Sequence, residues 1–239
     1  MGCRKQPPFT CSSSGVSASS KTSVSNAIDW LKWVAIVAMF ADHIKYAGAQ
    51  FDWLIYPGRI AFPIFAVLCG WNAANYSRSI FRYSFRILLL GLVMEGVQYA
   101  SHYAFGTIVR TTLNPVLTLG LGVFICAVYR YRTAWGHLVL LAVLAPAEFL
   151  FDYGASGVLL IVLTFSMSPN VFPLILIAAA LLNPLPTLGL ISCAAAFAAS
   201  CLLRVGIKYP CMLPNGKLLY LSFPLSFVPP IAIKLLFPG

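Results

Sequence analysis

Apolar runs of roughly bilayer-spanning length follow one another from near Leu31 to the C-terminus, and this repetition leaves few folds open. A span takes about 20 apolar residues. Candidate spans fall near 30–47, 56–76, 84–104, 113–129, 135–151, 156–168, 171–184, 186–204 and 218–236. The expected fold is all-α, a polytopic integral membrane protein of about nine transmembrane helices, with eight as the alternative count. The sixth and seventh runs are short and divided by Ser168, Pro169 and Asn170, as half-helices or a re-entrant hairpin would be. Composition agrees. Of 239 residues, 60% are hydrophobic and 9% charged, against about 25% charged in soluble domains. So few charges cannot clothe a soluble globule, and so much apolar surface excludes a disordered chain.

The charges that exist are lopsided. Arg4, Lys5 and Lys21 precede the first span, Arg78, Arg82 and Arg86 follow the second, Arg130 and Arg132 the fourth, and Arg204, Lys208 and Lys217 the eighth. All lie on one side; the other holds only Lys45, Arg59, Arg110 and Lys234. Lys and Arg collect in cytoplasmic loops, so the N-terminus is expected in the cytoplasm. This distribution accounts for the net charge of +10 without a nucleic-acid partner. Residues 1–26 read as a flexible Ser-rich cytoplasmic tail and 27–239 as the membrane domain. No apolar segment follows Arg4 and Lys5 as a signal peptide requires. The cysteines show no CxxC or other metal spacing, and no metal is expected; Cys69, Cys126, Cys193 and Cys201 read as small buried hydrophobes. Gly91 and Gly96, or Gly120 and Gly122, are expected to let helices pack closely.

Ionisable groups at membrane depth are costly and mark candidate sites. Asp42 and His43 close the first span, Arg59 opens the second, Glu95 sits inside the third and Glu148 late in the fifth. Asn114 opens the fourth, and Asp152, Tyr153 and Gly154 link the fifth to the sixth. Most of these fall toward the outer side, which predicts one polar cavity there. Asp42 and His43 project about 100° apart on a helix, so Asp42 is expected to face another partner, with Arg59 the candidate. Lys32 and His43 share one helix face about 16 Å apart. That pair would suit a long anionic substrate entering from the cytoplasm; alternatively, Lys32 snorkels to lipid head groups and His43 bonds Asp42 or a backbone carbonyl.

The stretches LKWVAIVAMFADH and GRIAFPIFAVLCGWNAANYSRS, with the Asn114-initiated span and DYGASGVLLIVL, resemble the TraX family of conjugation proteins. The family is typified by the F-pilin acetylase and includes the TrbP proteins. The resemblance extends over roughly 28–239. It implies an inner-membrane protein that matures the pilin subunit, with acetyl-CoA as co-substrate. By position His43 matches the motif histidine, Asp42 its partner and Arg59 the second-span arginine; Asn114, Asp152 and Tyr153 match weaker positions. Ser226 stands where the family has a histidine near its C-terminus. The spacing of Lys32 and His43 also resembles the Arg-x10-His of the broader membrane acyltransferases.

Three functions compete. One is a membrane acyltransferase that acetylates the pilin N-terminus, with His43 as general base, Arg59 holding Asp42 or the oxyanion and Lys32 at the phosphates of CoA. Another is a non-catalytic pilin maturation or assembly factor, favoured by Ser226. The last is a small transporter, against which stands the lack of an internal repeat.

Overall fold

The computed structural model describes residues 18–75, 77, 79–105, 112–131, 133–166, 168–207 and 216–236. Helix α1 runs Ala18–Ile44 and passes through two 3-10 turns, Lys45–Ala47 and Ala49–Leu54, into the single turn α2, Ile55–Gly58. Then follow α3 (Ala61–Asn75), α4 (Ile80–Phe105), α5 (Pro115–Tyr131), α6 (Thr133–Leu150) and α7 (Gly154–Ser166). After a short 3-10 turn come α8 (Phe172–Ala180), α9 (Pro186–Val205), α10 (Gly216–Leu225) and α11 (Val228–Leu236). Among the described residues no β-strand forms; one isolated parallel bridge joins Leu113 to Phe151.

The protein is all-helical, and its apolar helices are those of a membrane-embedded chain. Among the described residues, three segments, Val24–Ala47, Ala49–Asn75 and Pro186–Val205, are long and apolar enough to cross a bilayer. Several others are apolar but shorter, among them Pro115–Tyr131 and Gly154–Ser166. Helix α8 has nine residues and rises about 13 Å, well short of a hydrocarbon core of roughly 30 Å. The outer faces are strongly apolar: Phe85 on α4, Phe149 on α6 and Val205 on α9 are largely exposed.

Helix α3 is the centre of the bundle. Residues 61–70 are buried without interruption, as a helix apolar on all sides must be, and α1, α5, α7 and α9 pack around it. Helices α4 and α5 meet through reciprocal glycines. A Cβ at Gly91 would run into the Leu117 side chain, and one at Gly120 into Leu88. Gly122 makes similar room for Ile161 of α7. The expectation for Gly96 is corrected: nothing lies within 4 Å of where its Cβ would be, because it points away from α5. Cys69 and Cys126 are free and buried.

The expected boundary of the tail also moves. Helix α1 already begins at Ala18, because once an apolar helix is nucleated its preceding polar residues extend it at little cost. Asn26 is tied in, its Nδ2 donating to the Ile207 carbonyl at 3.3 Å. Helix ends sort into two sets. At one, Asn26 meets the end of α9, and Arg130 of α5 reaches the Ala73 carbonyl near the end of α3. At the other lie the end of α1 and the starts of α3, α5 and α7.

Candidate functional site

Proline chemistry shapes the start of α3. Pro63 has no N–H, so the Arg59 carbonyl lacks its helical donor. The chain turns at Arg59 and Ile60, and Ser192 Oγ of α9 approaches the Arg59 carbonyl at 3.4 Å, itself bonded by Asn183 Nδ2 at 2.8 Å. Just before it, a Cβ at Gly58 would stand 2.6 Å from Asp42 Cβ and 2.8 Å from its Cα. Glycine there lets α2 lie directly against the end of α1.

The link from α6 to α7 is built for the same place. Gly154 adopts φ +49°, where a side chain would be strained, and a Cβ there would also strike the Glu148 carboxylate. Glu148 Oε2 accepts the Ala155 N–H at 2.9 Å, capping the positive end of α7. Tyr153 is buried and stacks on Phe62 with ring centroids 3.7 Å apart and planes 12° from parallel. A Cβ at Gly157 would meet Tyr153 Cβ at 2.9 Å and Phe62 Cζ at 3.0 Å. Arg59 Nη1 donates to the Tyr153 hydroxyl at 3.1 Å. Arg59, Phe62, Tyr153, Gly154 and Gly157 therefore form one packed unit.

Asn114 is the N-cap of α5, with Pro115 at the first helical position. Its Oδ1 accepts Val116 N–H at 2.9 Å and Leu117 N–H at 3.2 Å, and its Nδ2 donates to the Gly91 carbonyl at 2.7 Å. Its own backbone N–H reaches Glu95 Oε1 at 2.5 Å. It is 1% exposed.

The anticipated pairing of Asp42 with Arg59 is corrected. Asp42 Oδ1 pairs with Lys45 Nζ at 2.6 Å. The helix tightens into a 3-10 turn at Lys45, where residues three apart eclipse each other; the lysine is thus delivered onto the carboxylate. Arg59 faces Tyr153 instead, and its buried Nε has no hydrogen-bond partner.

His43 meets the far end of the chain. Its Nδ1 lies 2.5 Å from Ser226 Oγ, and its ring is 4.2 Å from that of Phe227. The sequence PLSFVPP explains why Ser226 is there. Pro229 and Pro230 supply no N–H to the carbonyls of Leu225 and Ser226, so α10 breaks before α11. Phe227 N–H turns to the Pro224 carbonyl at 3.3 Å. The Phe223 carbonyl accepts both the Ser226 N–H at 3.3 Å and the Ser226 hydroxyl at 2.6 Å.

A partly open cavity joins these parts. Its polar lining includes Asp42, His43, Gln98, Asn114 and Tyr153; Met39, Phe65, Met94 and Phe223 contribute apolar wall. Four residues singled out from sequence thus line one cavity, and Arg59 stands behind Tyr153. Asp152 does not line it, and Lys32 lies near the middle of α1, away from the cavity and paired with Asp29 at 2.9 Å. Gln98 was missed, though a polar residue three positions after Glu95 in an apolar run was a readable signal. The side chain of His102, near the end of α4, lies outside the described residues. His137 is exposed and bonds Tyr129 at 2.8 Å.

Residues 27–229 match the family model of the TraX protein. The chain belongs to the TraX family. No match is found among curated proteins or solved structures. Membership ties this TraX protein to pilin-related work in conjugation. The motifs that carried the resemblance, GRIAFP and DYGASG, are the two segments whose side chains interlock at Arg59, Phe62 and Tyr153.

Proposed function

We propose that this TraX protein is a pilin-maturation acyltransferase of the bacterial inner membrane, acetylating the pilin N-terminus from acetyl-CoA. The observation that carries the reading is His43, held by Ser226 at 2.5 Å on a mixed polar and apolar cavity. A general base must hold one ring nitrogen by an orienting partner and offer the other to the reacting amine.

In this reaction the pilin amine attacks the thioester carbonyl. The C–N bond forms, the C–S bond breaks, and the amine proton passes by way of His43 to the departing thiolate, giving CoA thiol. Tyr153, polarised by Arg59 behind it, is suited to donate to the carbonyl oxygen as negative charge develops. The apolar wall suits an acyl-pantetheine arm. Asn114, with Oδ1 accepting two backbone donors, holds the wall rather than the substrate.

The chain takes its nine spans with the N-terminus in the cytoplasm, so the cavity faces the outer leaflet. Support comes from the lopsided Lys and Arg distribution. CoA then enters from inside and the pilin amine from outside. A second reading, a non-catalytic assembly factor, draws on Ser226 in the place of the family's histidine. Intact mass of pilin from cells with and without this protein separates the two. A gain of one acetyl group supports the enzyme; unchanged mass with lost pili supports the assembly factor.

A further inference from the structure

The Ser226 hydroxyl has one proton to give and two neighbours within hydrogen-bond distance. One, the Phe223 carbonyl at 2.6 Å, can only accept. The other, His43 Nδ1 at 2.5 Å, can do either. The carbonyl therefore takes the hydroxyl proton, and the imidazole must supply its own at Nδ1.

We infer that Ser226 is a positioning residue that fixes the Nδ1–H tautomer of His43, so that in the neutral ring the basic nitrogen is Nε2. The choice is not the default one, since free histidine side chains favour the Nε2–H form. Here it is imposed by backbone. Where α10 ends, the Phe227 N–H turns to the Pro224 carbonyl and the Phe223 carbonyl takes the Ser226 N–H at 3.3 Å; with the hydroxyl oxygen only 2.6 Å away, that carbonyl fixes the serine rotor. The serine is 0% exposed, and the Phe227 ring lies 4.2 Å from the imidazole, which restricts ring rotation. Ser226 so takes an orienting role through its hydroxyl.

A Ser–His pair also raises a covalent alternative, with Ser226 as acyl acceptor. The geometry disfavours it. The hydroxyl proton points at Phe223 rather than at the histidine, so His43 is not placed to remove it, and Ser226 is absent from the cavity lining.

The test is ring-nitrogen NMR of the full chain in lipid vesicles, labelled at histidine and recorded at a pH where the imidazole is neutral. Only three histidines are present, so His43→Gln assigns the signal. We expect Nδ1 protonated in the wild type and in Ser226→Thr, and loss of that preference in Ser226→Ala. A wild-type Nε2–H form, or an unchanged tautomer in Ser226→Ala, overturns the inference. The kinetic arm alone rests on the acyl-transfer reading. With acetyl-CoA and pilin, Ser226→Ala should slow transfer at least about tenfold and Ser226→Thr restore it. An acetyl group found on Ser226 after incubation with acetyl-CoA alone would overturn the positioning role. If pilin is not acetylated at all, the function fails while the tautomer measurement still decides the inference.

Discussion

The middle of α1 and its C-terminal end carry similar residues and use them differently. In the middle, Lys32 pairs with Asp29 three residues earlier, in a half-buried contact within the helix. At the end, Asp42 and His43 meet Gly58 from the turn before α3 and Ser226 and Phe227 from the turn between α10 and α11. The cavity beside them adds Asn114 and Tyr153 from the starts of α5 and α7. Charge at membrane depth flags both places equally; convergence from distant sequence singles out one. A local ion pair contributes a few tenths of a kcal/mol, whereas a network drawn from five helices fixes geometry.

That contrast can be broken by substitution. His43→Ala should reduce pilin acetylation at least about 100-fold, the usual scale for losing a general base, with membrane expression checked by immunoblot. Arg59→Lys should follow at about tenfold or more, because a compact ammonium cannot reproduce a planar guanidinium's reach to Tyr153; rates at saturating acetyl-CoA read this out. Asn114→Ala should act on stability. Removing a helix cap costs about 1 kcal/mol, so its melting temperature in detergent should fall. Lys32→Ala should be smallest, about 0.5 kcal/mol or less, with acetylation intact. A raised acetyl-CoA requirement in Lys32→Ala would instead give the middle of α1 a share in substrate binding.

How much of this was legible in the sequence follows from the range of each interaction. The apolar helices and the polar end of the bundle rest on residues close in sequence, and hydropathy and depth sufficed; that Asn114 caps α5 was not read from it. The partners did not follow. Asp42 looked to Arg59 because an α-helix was carried through His43; the tightening at Lys45 delivers a different cation. Ser226 read as a lost histidine, since nothing local shows that a proline-broken helix 183 residues away returns it to His43. The start of α1 at Ala18 was hidden for a related reason. Serine and lysine give no apolar period, although an adjoining helix carries them along.

The most direct measurement reconstitutes the purified protein in lipid vesicles with acetyl-CoA and processed pilin, and follows intact pilin mass together with CoA thiol release. We expect pilin to gain one acetyl group with one thiol released per transfer, and His43→Ala to do neither. Unchanged pilin mass with the folded wild-type protein, or full acetylation by His43→Ala, would contradict a single acyl-transfer site centred on His43.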